Sequence, residues 1–228
     1  MEAPQDIQIE EGESAKFVCK AVTDPDEVGN LQIHWMKNDV FINYGLEMRV
    51  FRNLQDNSLT ITGTRVTDTG RYTCIASSEI DTVRAAAYLI IRGRPTQPKI
   101  NEVKCLNRRA DVRWLSGGNN YSPLTGYRIE FNTNHDPNTW TTSNPIDMKL
   151  TEQGLIPPNQ NSVILNLSPW SRYKFRVLAI NRIGKSDPSE ESTKECITQA
   201  DVPFHNPAFV QGKGSESNNM VIFWSVRI

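Results

Sequence analysis

Cys19 and Cys74 stand on either side of Trp35, and Tyr72 lies two residues before the second cysteine. Those four positions restrict the fold more than anything else in the chain. In Ala15-Lys16-Phe17-Val18-Cys19, alternation puts Ala15, Phe17 and Cys19 on one face of a strand. Ile33-His34-Trp35 supplies an indole at a matching inward position, and Arg71-Tyr72-Thr73-Cys74 a further strand, with Asp68 and Gly70 in the turn before it. A bridge between two such strands, covered by an indole, pins one sheet face to face on another. A phenol two residues before a strand cysteine can bond the backbone at the corner where that strand begins.

Cys, Trp and Tyr-x-Cys in this order form the pattern of an immunoglobulin sandwich. The rest of residues 1–92 agrees with it. Ile7 and Ile9 suit strand A, and Gly12 the turn into strand B. Ser58-Leu59-Thr60-Ile61-Thr62 suits strand E, with Leu59 and Ile61 inward. Strand G follows, with Ala85, Ala87, Leu89 and Ile91 inward and Arg84, Tyr88 and Arg92 outward. Asp24-Pro25-Asp26 reads as a turn. Two carboxylates are too few for calcium, which takes about six or more oxygens.

Gly93-Arg94-Pro95-Thr96-Gln97-Pro98 is a short linker whose prolines fix φ and remove donors. Residues 98–199 then read as a second sandwich. Trp114 faces inward on strand B. Tyr127, Ile129 and Phe131 face inward on strand C, and Val163, Leu165 and Leu167 on strand E. Tyr173, Phe175, Val177 and Ala179 face inward on strand F, and Asn181-Arg182-Ile183-Gly184 turns into strand G. Trp114, Leu167 six residues before Tyr173, and Tyr-x-Phe-x-Val-x-Ala-x-Asn together resemble fibronectin type III. Residues 201–228 look like the truncated start of another such module. Phe209-Val210 and Met220-Val221-Ile222-Phe223-Trp224 would be its strands A and B, joined over Asn218-Asn219, with Gly212-Lys213-Gly214 as a turn. The fold class is therefore all-β, with tandem sandwiches, and Trp35, Tyr72, Trp114 and Tyr173 as core markers.

A length of 228 residues suits about two domains. A formal net charge of −1 gives no general attraction to nucleic acid or an acidic membrane. All four cysteines fall on strands, which points to bridges and an oxidising compartment. Cys105 ends strand A and Cys196 lies on strand G, edge strands of opposite sheets that can meet along one side. The bridge is expected there, the alternative being two free, half-buried thiols. No apolar run approaches the ~18 residues of a membrane span, and no signal peptide opens the chain. The chain thus reads as a fragment of a longer extracellular protein.

Catalytic and metal chemistry is not evident. His34, His135 and His205 are scattered over three modules, without cysteine or carboxylate at ligand spacing. There is no phosphate loop and no Gly-x-Ser-x-Gly elbow. No cofactor and no enzymatic activity are expected. Two sequons are candidates for glycosylation, Asn120-Tyr121-Ser122 and Asn166-Leu167-Ser168, the second followed by Pro169. A surface ladder is expected on the fibronectin module. Arg128 and Glu130 point outward on strand C, and Lys174 and Arg176 outward on the neighbouring strand F. Trp140, on the next strand over, can stack on an arginine of that face.

Ser168-Pro169-Trp170, Tyr173 to Asn181, the Cys105/Cys196 pair, and Asp201-Val202-Pro203-Phe204 with Gly212-Lys213-Gly214 and Asn218 to Ile222 closely resemble the neuroglian and neurofascin family of neural cell adhesion molecules. Ala76-Ser77-Ser78-Glu79-Ile80-Asp81 is similar to that family's last immunoglobulin module. The resemblance covers essentially the whole chain. It implies a fragment spanning the last immunoglobulin module, the first fibronectin module and the start of the second. It further implies a type I membrane protein acting in cell-cell adhesion, axon guidance and fasciculation, with this part on the extracellular side of the plasma membrane. The implied partners are cell-surface proteins, met homophilically or heterophilically through the full-length protein, with no nucleic acid and no small-molecule substrate. Some relatives carry Arg-Gly-Asp for integrins; this chain does not. The family's homophilic contacts belong mainly to its first four immunoglobulin modules, so this segment resembles stalk more than adhesive head. Two other readings stay open: an intracellular muscle scaffold, which reduced cysteines would favour, and the ectodomain of a receptor phosphatase.

Overall fold

The computed structural model describes residues 2–22, 30–45, 48–201, 208–216 and 219–225. Met1, Asp24-Pro25-Asp26, His205 and Asn218 lie outside the described residues. The chain divides into two compact units. One comprises residues 1–96 with 118–124 and 180–185; the other comprises 97–117, 125–179 and 186–228.

The first unit is a two-sheet sandwich. One sheet runs β1 (Ile7–Glu10), β8 (Thr82–Arg92), β7 (Gly70–Ser77), β3 (Gln32–Lys37), β4 (Val40–Phe41); the other runs β2 (Ala15–Phe17), β6 (Leu59–Ile61), β5 (Val50–Arg52). β1 pairs in parallel with β8, whereas the other strand pairings described in this unit are antiparallel. Period-2 alternation places Ala15, Phe17, Ile33, Trp35, Leu59, Ile61, Ala87, Leu89 and Ile91 in one core. Cys19 and Cys74 are bonded at its centre, Cα atoms 6.4 Å apart, and Trp35 lies directly across from Cys74. The Trp35 indole N–H donates to the Asn57 carbonyl at 3.0 Å, so burial of the ring leaves no donor orphaned. The Tyr72 hydroxyl donates to the Asp68 carbonyl at 2.8 Å, closing the corner ahead of β7. Between β3 and β4 the two-residue turn Asn38-Asp39 has φ of 47° and 65°, the left-handed pair that a tight hairpin demands and that Asn and Asp tolerate.

The second unit holds a sandwich of β13 (Ser162–Asn166), β10 (Arg109–Leu115), β9 (Lys99–Leu106) against β12 (Asp136–Thr142), β11 (Leu124–Thr133), β14 (Arg172–Asn181), β15 (Cys196–Ile197). Trp114, Tyr127, Ile129, Leu165, Leu167, Phe175 and Val177 fill it. Trp114 meets Tyr127 edge-on at 5.2 Å. The Tyr173 hydroxyl donates to the Ser168 carbonyl at 3.2 Å and accepts from the Ser168 N–H at 2.9 Å. Cys105 on edge strand β9 is bonded to Cys196 on edge strand β15, Cα atoms 5.3 Å apart.

Strand G departs from expectation. Only Cys196–Ile197 is strand; from Ser186 to Ser192 the chain follows β14 without pairing as one. The Ser186, Ser189 and Ser192 N–H groups donate to the Ala179, Val177 and Phe175 carbonyls at 2.8–2.9 Å. Each serine Oγ then accepts the N–H of the same β14 residue, at 3.0, 2.9 and 3.2 Å. Three residues of this strap thus match two of the strand. The hydroxyl stands in for the carbonyl that a true strand would offer, so the edge of β14 is satisfied without a ladder.

Among the described residues, β16 (Ala208–Glu216) and β17 (Asn219–Ser225) pair only with each other. Gly212-Lys213-Gly214, expected as a turn, lies inside β16, where the register shifts between Gly214 and Glu216. A glycine pair at such an irregularity accommodates the local bend. Val210 and Ile222 are half-exposed, and an isolated two-stranded hairpin is marginal in water. Amide exchange at Val221–Trp224 is therefore expected to be much faster than at Tyr173–Ala179 in the monomer. Equal protection would show that the hairpin is stably packed.

Candidate functional site

The outer face of the β12-β11-β14 sheet gathers most of the charged ladder. β14 places Lys174 and Arg176 on the side opposite Phe175 and Val177, and β11 places Arg128 and Glu130 opposite Ile129. On β12, Trp140 shares the face of Thr142, which lies across from Glu130. Arg176 donates from Nε to Glu130 Oε2 at 2.7 Å, and its Nη2 lies 2.6 Å from the same oxygen as an ion pair. Its guanidinium carbon lies 4.2 Å over the Trp140 ring. The planar cation is therefore held at its edge by a carboxylate and on its face by an indole, an arrangement lysine could not fill. Both charged side chains are largely covered, 25% and 15% exposed.

The other two members go elsewhere. Lys174 Nζ lies 3.0 Å from Glu191, at the strap, and that hydrogen bond raises the ammonium pKa. Arg128 has no ionic partner among the described residues. Glu191 was not foreseen in the sequence. It is distant from strand F in the chain, and only the strap's course brings it to Lys174.

An exposed ion pair contributes roughly 0–1 kcal/mol. The coverage of this one, with the cation–π contact, raises the expectation for Arg176→Ala to about 1–2 kcal/mol lost from the second unit. A double-mutant cycle with Glu130→Gln in chemical denaturation checks it: strict additivity would mean that the pair is not coupled.

The two sequon asparagines differ. Asn120 has φ of 48°, and its Nδ2 donates to the Arg94 carbonyl at 2.6 Å; Ser122 is fully buried. Asn166 ends β13 with its side chain exposed. Asn181, named in the sequence only as a motif residue, is buried and central to the loops. Its Nδ2 reaches the carbonyls of Gly93 at 2.8 Å, Asn119 at 3.3 Å and Ser122 at 3.4 Å, while its Oδ1 accepts from the Ile183 and Gly184 N–H groups.

A second polar cluster had no sequence signal. Arg49 donates to Asp68 from Nη1 at 2.9 Å and from Nη2 at 3.3 Å, and the Arg65 N–H donates to Asp68 Oδ2 at 2.8 Å. Burial pushes the Asp68 pKa up, but the Arg49 and Arg65 hydrogen bonds and the Arg49 and Lys37 charges outweigh it, leaving the carboxyl below its ordinary value. Among the described residues no three His, Cys, Asp or Glu side chains gather as metal ligands, and no helix is long and apolar enough to cross a membrane.

Residues 1–91 match the immunoglobulin I-set domain and residues 94–195 the fibronectin type III domain. Over 222 residues the chain is 38% identical to neuroglian of Drosophila melanogaster, taking in 97% of this chain and 16% of that protein. It is 34% identical over 236 residues to neurofascin of Gallus gallus, with 97% of this chain and 16% of that protein covered. The chain thus spans about a sixth of the length of these relatives. A solved multidomain fragment of titin aligns over 86% of this chain and 62% of its own, at 20% identity and a TM-score of 0.44.

Proposed function

This chain belongs to the neuroglian and neurofascin family of neural cell adhesion molecules, and on that premise we propose that it is an extracellular stalk and recognition segment acting in axon guidance and fasciculation. The observation that carries the reading is the continuous match to neuroglian across both modules. A cell-adhesion role follows from the relatives' names; the finer role is our inference. Two buried or half-buried disulfides suit an oxidising compartment, which favours the extracellular side of the plasma membrane over a muscle scaffold. The proposed partners are other cell-surface proteins, reached through the full-length molecule. Antibody raised against this chain is expected to stain neurons without permeabilisation, and added soluble chain to loosen axon bundles. Staining only after permeabilisation, with free thiol at Cys105 and Cys196, would refute the reading.

Of the two sequons, we take Asn166 as the better acceptor. Its side chain is open to solvent, whereas the Asn120 amide is engaged by the Arg94 carbonyl. Proline follows the serine in both, at Pro123 and Pro169, so partial occupancy is expected. Glycopeptide mapping of secreted protein should find glycan at Asn166 in excess of Asn120; the reverse order would refute the assignment.

A further inference from the structure

Strand register lays out the outer face of the β13-β10-β9 sheet. β13 contributes Ser162, Ile164 and Asn166, and β10 sets Arg113, Asp111 and Arg109 across from them in that order. The residues between, Val163, Leu165, Ala110 and Val112, point into the core. Asn166 thus stands beside Arg109, with Cβ atoms about 5 Å apart, and shares its face with Ile164 two residues back. Arg109 is exposed and has no ionic partner among the described residues. Ile164 is 44% exposed.

A concavity of about 360 Å³ opens on this face, from Arg109 and Ile164 toward Arg113 and Gln160. Ile146 and Met148 form its other wall. The Ile146 N–H donates to the Ile164 carbonyl at 2.9 Å, which holds that segment against the edge of β13. Arg113 is fixed on Asp111 Oδ2 by hydrogen bonds of 3.1 and 2.9 Å. The lining therefore has guanidinium donors on one side and aliphatic groups on the other.

We propose that this concavity holds the innermost sugars of an N-linked glycan carried by Asn166. The inference rests on the reading of Asn166 as the better acceptor. In forming the link, Asn166 Nδ2 bonds to C1 of an N-acetylglucosamine. The bond from that carbon to a lipid-linked pyrophosphate breaks, and the amide loses a proton. The tether selects the occupant, because the first sugar must start next to Arg109 and Ile164. Its chemistry matches the lining. N-acetylglucosamine is neutral, with hydroxyl and acetamide oxygens that accept from Arg109 and Arg113. Its ring C–H face and acetyl methyl cover Ile164, Ile146 and Met148. Strand rise puts Ser162 about 13 Å from Asn166, a run that a short chain of pyranose rings covers. The volume lies at the lower end of the roughly 300–1,000 Å³ of small-ligand sites, so it suits the core sugars and not a whole branched glycan. Held so, the glycan covers this face and leaves the opposite one, with Arg176 and Trp140, bare for a partner.

The test uses methyl-labelled chain secreted by eukaryotic cells, trimmed by an endoglycosidase to the single sugar on Asn166. An amidase is avoided, because it would leave an aspartate beside Arg109. Asn166→Gln supplies the bare reference. Nuclear Overhauser contacts are expected between the acetyl methyl and the methyl groups of Ile164 and Met148. Methyl shifts relative to Asn166→Gln should be confined to Ile146, Met148 and Ile164. Endoglycosidase release of the untrimmed glycan should speed up about threefold or more in Arg109→Ala and in Ile164→Thr, each checked for an unchanged fold by circular dichroism. Leu106→Ala, on the far side of Arg109 at the sheet edge, serves as control and should leave the rate unchanged. A glycan mapped to Asn166 that shows no such contacts and no rate change would overturn the proposal and leave the acceptor assignment standing. Asn166 found wholly unmodified, with glycan at Asn120, would overturn both.

Discussion

Replacing both Cys19 and Cys74 with alanine is expected to lower the stability of the immunoglobulin module by more than 4 kcal/mol. The bridge closes a loop with a sequence separation of 55, which chain entropy places at about 4 kcal/mol. Both sulfurs also sit at 0% exposure in the core beside Trp35, so their loss leaves unfilled space as well. Against a total of about 5–15 kcal/mol for a domain, that is enough to unfold much of the module near body temperature. The same exchange at Cys105 and Cys196 is expected to cost less. Loop entropy alone ranks it slightly higher, because the separation is 91, and assigns about 4.6 kcal/mol. Packing reverses the order. Cys105 lies on an edge strand and is half-buried, and the Trp114 and Tyr127 core stays intact without it. Guanidinium unfolding of the two double variants checks this. An equal or larger loss at the second bridge would mean that loop entropy, not packing, dominates.

Asp68→Asn is expected to cost the same module about 2–4 kcal/mol, somewhat under the ~3–5 of a fully buried pair because Arg49 retains some solvent. The Asp68 side chain is 8% exposed and Arg49 24%, so the substitution leaves a guanidinium without its carboxylate in a poorly hydrated place. The pH dependence follows from the lowered pKa. A carboxyl whose folded pKa lies below its unfolded value of ~3.9 contributes its full stability above that value. The contribution is lost as pH falls through the folded pKa. Stability curves of the native chain and Asp68→Asn should thus differ by a constant amount at neutral pH and converge on acidification below about pH 4. Asp56 titrates in the same window, held down to about 2 mainly by hydrogen bonds from Ser58, so the comparison between the two proteins, not the native curve alone, isolates Asp68. Curves that stay parallel down to strong acid would show that the Arg49 contact contributes little.

The two sandwiches were legible because their determinants are local or covalent. Alternation at Ala15, Phe17 and Cys19, or at Tyr173, Phe175 and Val177, states an inward face within five residues, and a buried face specifies register. Tyr72 and Tyr173 announce their corners by spacing alone, since the carbonyls they bond are four and five residues upstream. Strand G was overread as regular strand because nothing in Ser186, Ser189 and Ser192 says that their hydroxyls replace backbone carbonyls until β14 lies beside them. The glycines of β16 were misread for a related reason: glycine signals a turn and a bulge alike.

Partner choice was decided only by tertiary structure. Arg49 precedes Asp68 by 19 residues, Glu191 follows Lys174 by 17, and Glu130 precedes Arg176 by 46, so no helix or hairpin periodicity links them. A charged side chain on an outward position has several reachable neighbours of nearly equal energy in water, and burial of one neighbour breaks the tie. The slot lined by Val40, Val50, Asp68 and Tyr72 is likewise absent from any single segment, because it exists only where the last strands of two sheets, β4 and β5, come to lie together. This sequence by itself determined which faces are inside, since burial of an apolar face is a property of each strand. Which outward groups meet depends on strands from far along the chain, and that was decided when the sheets closed.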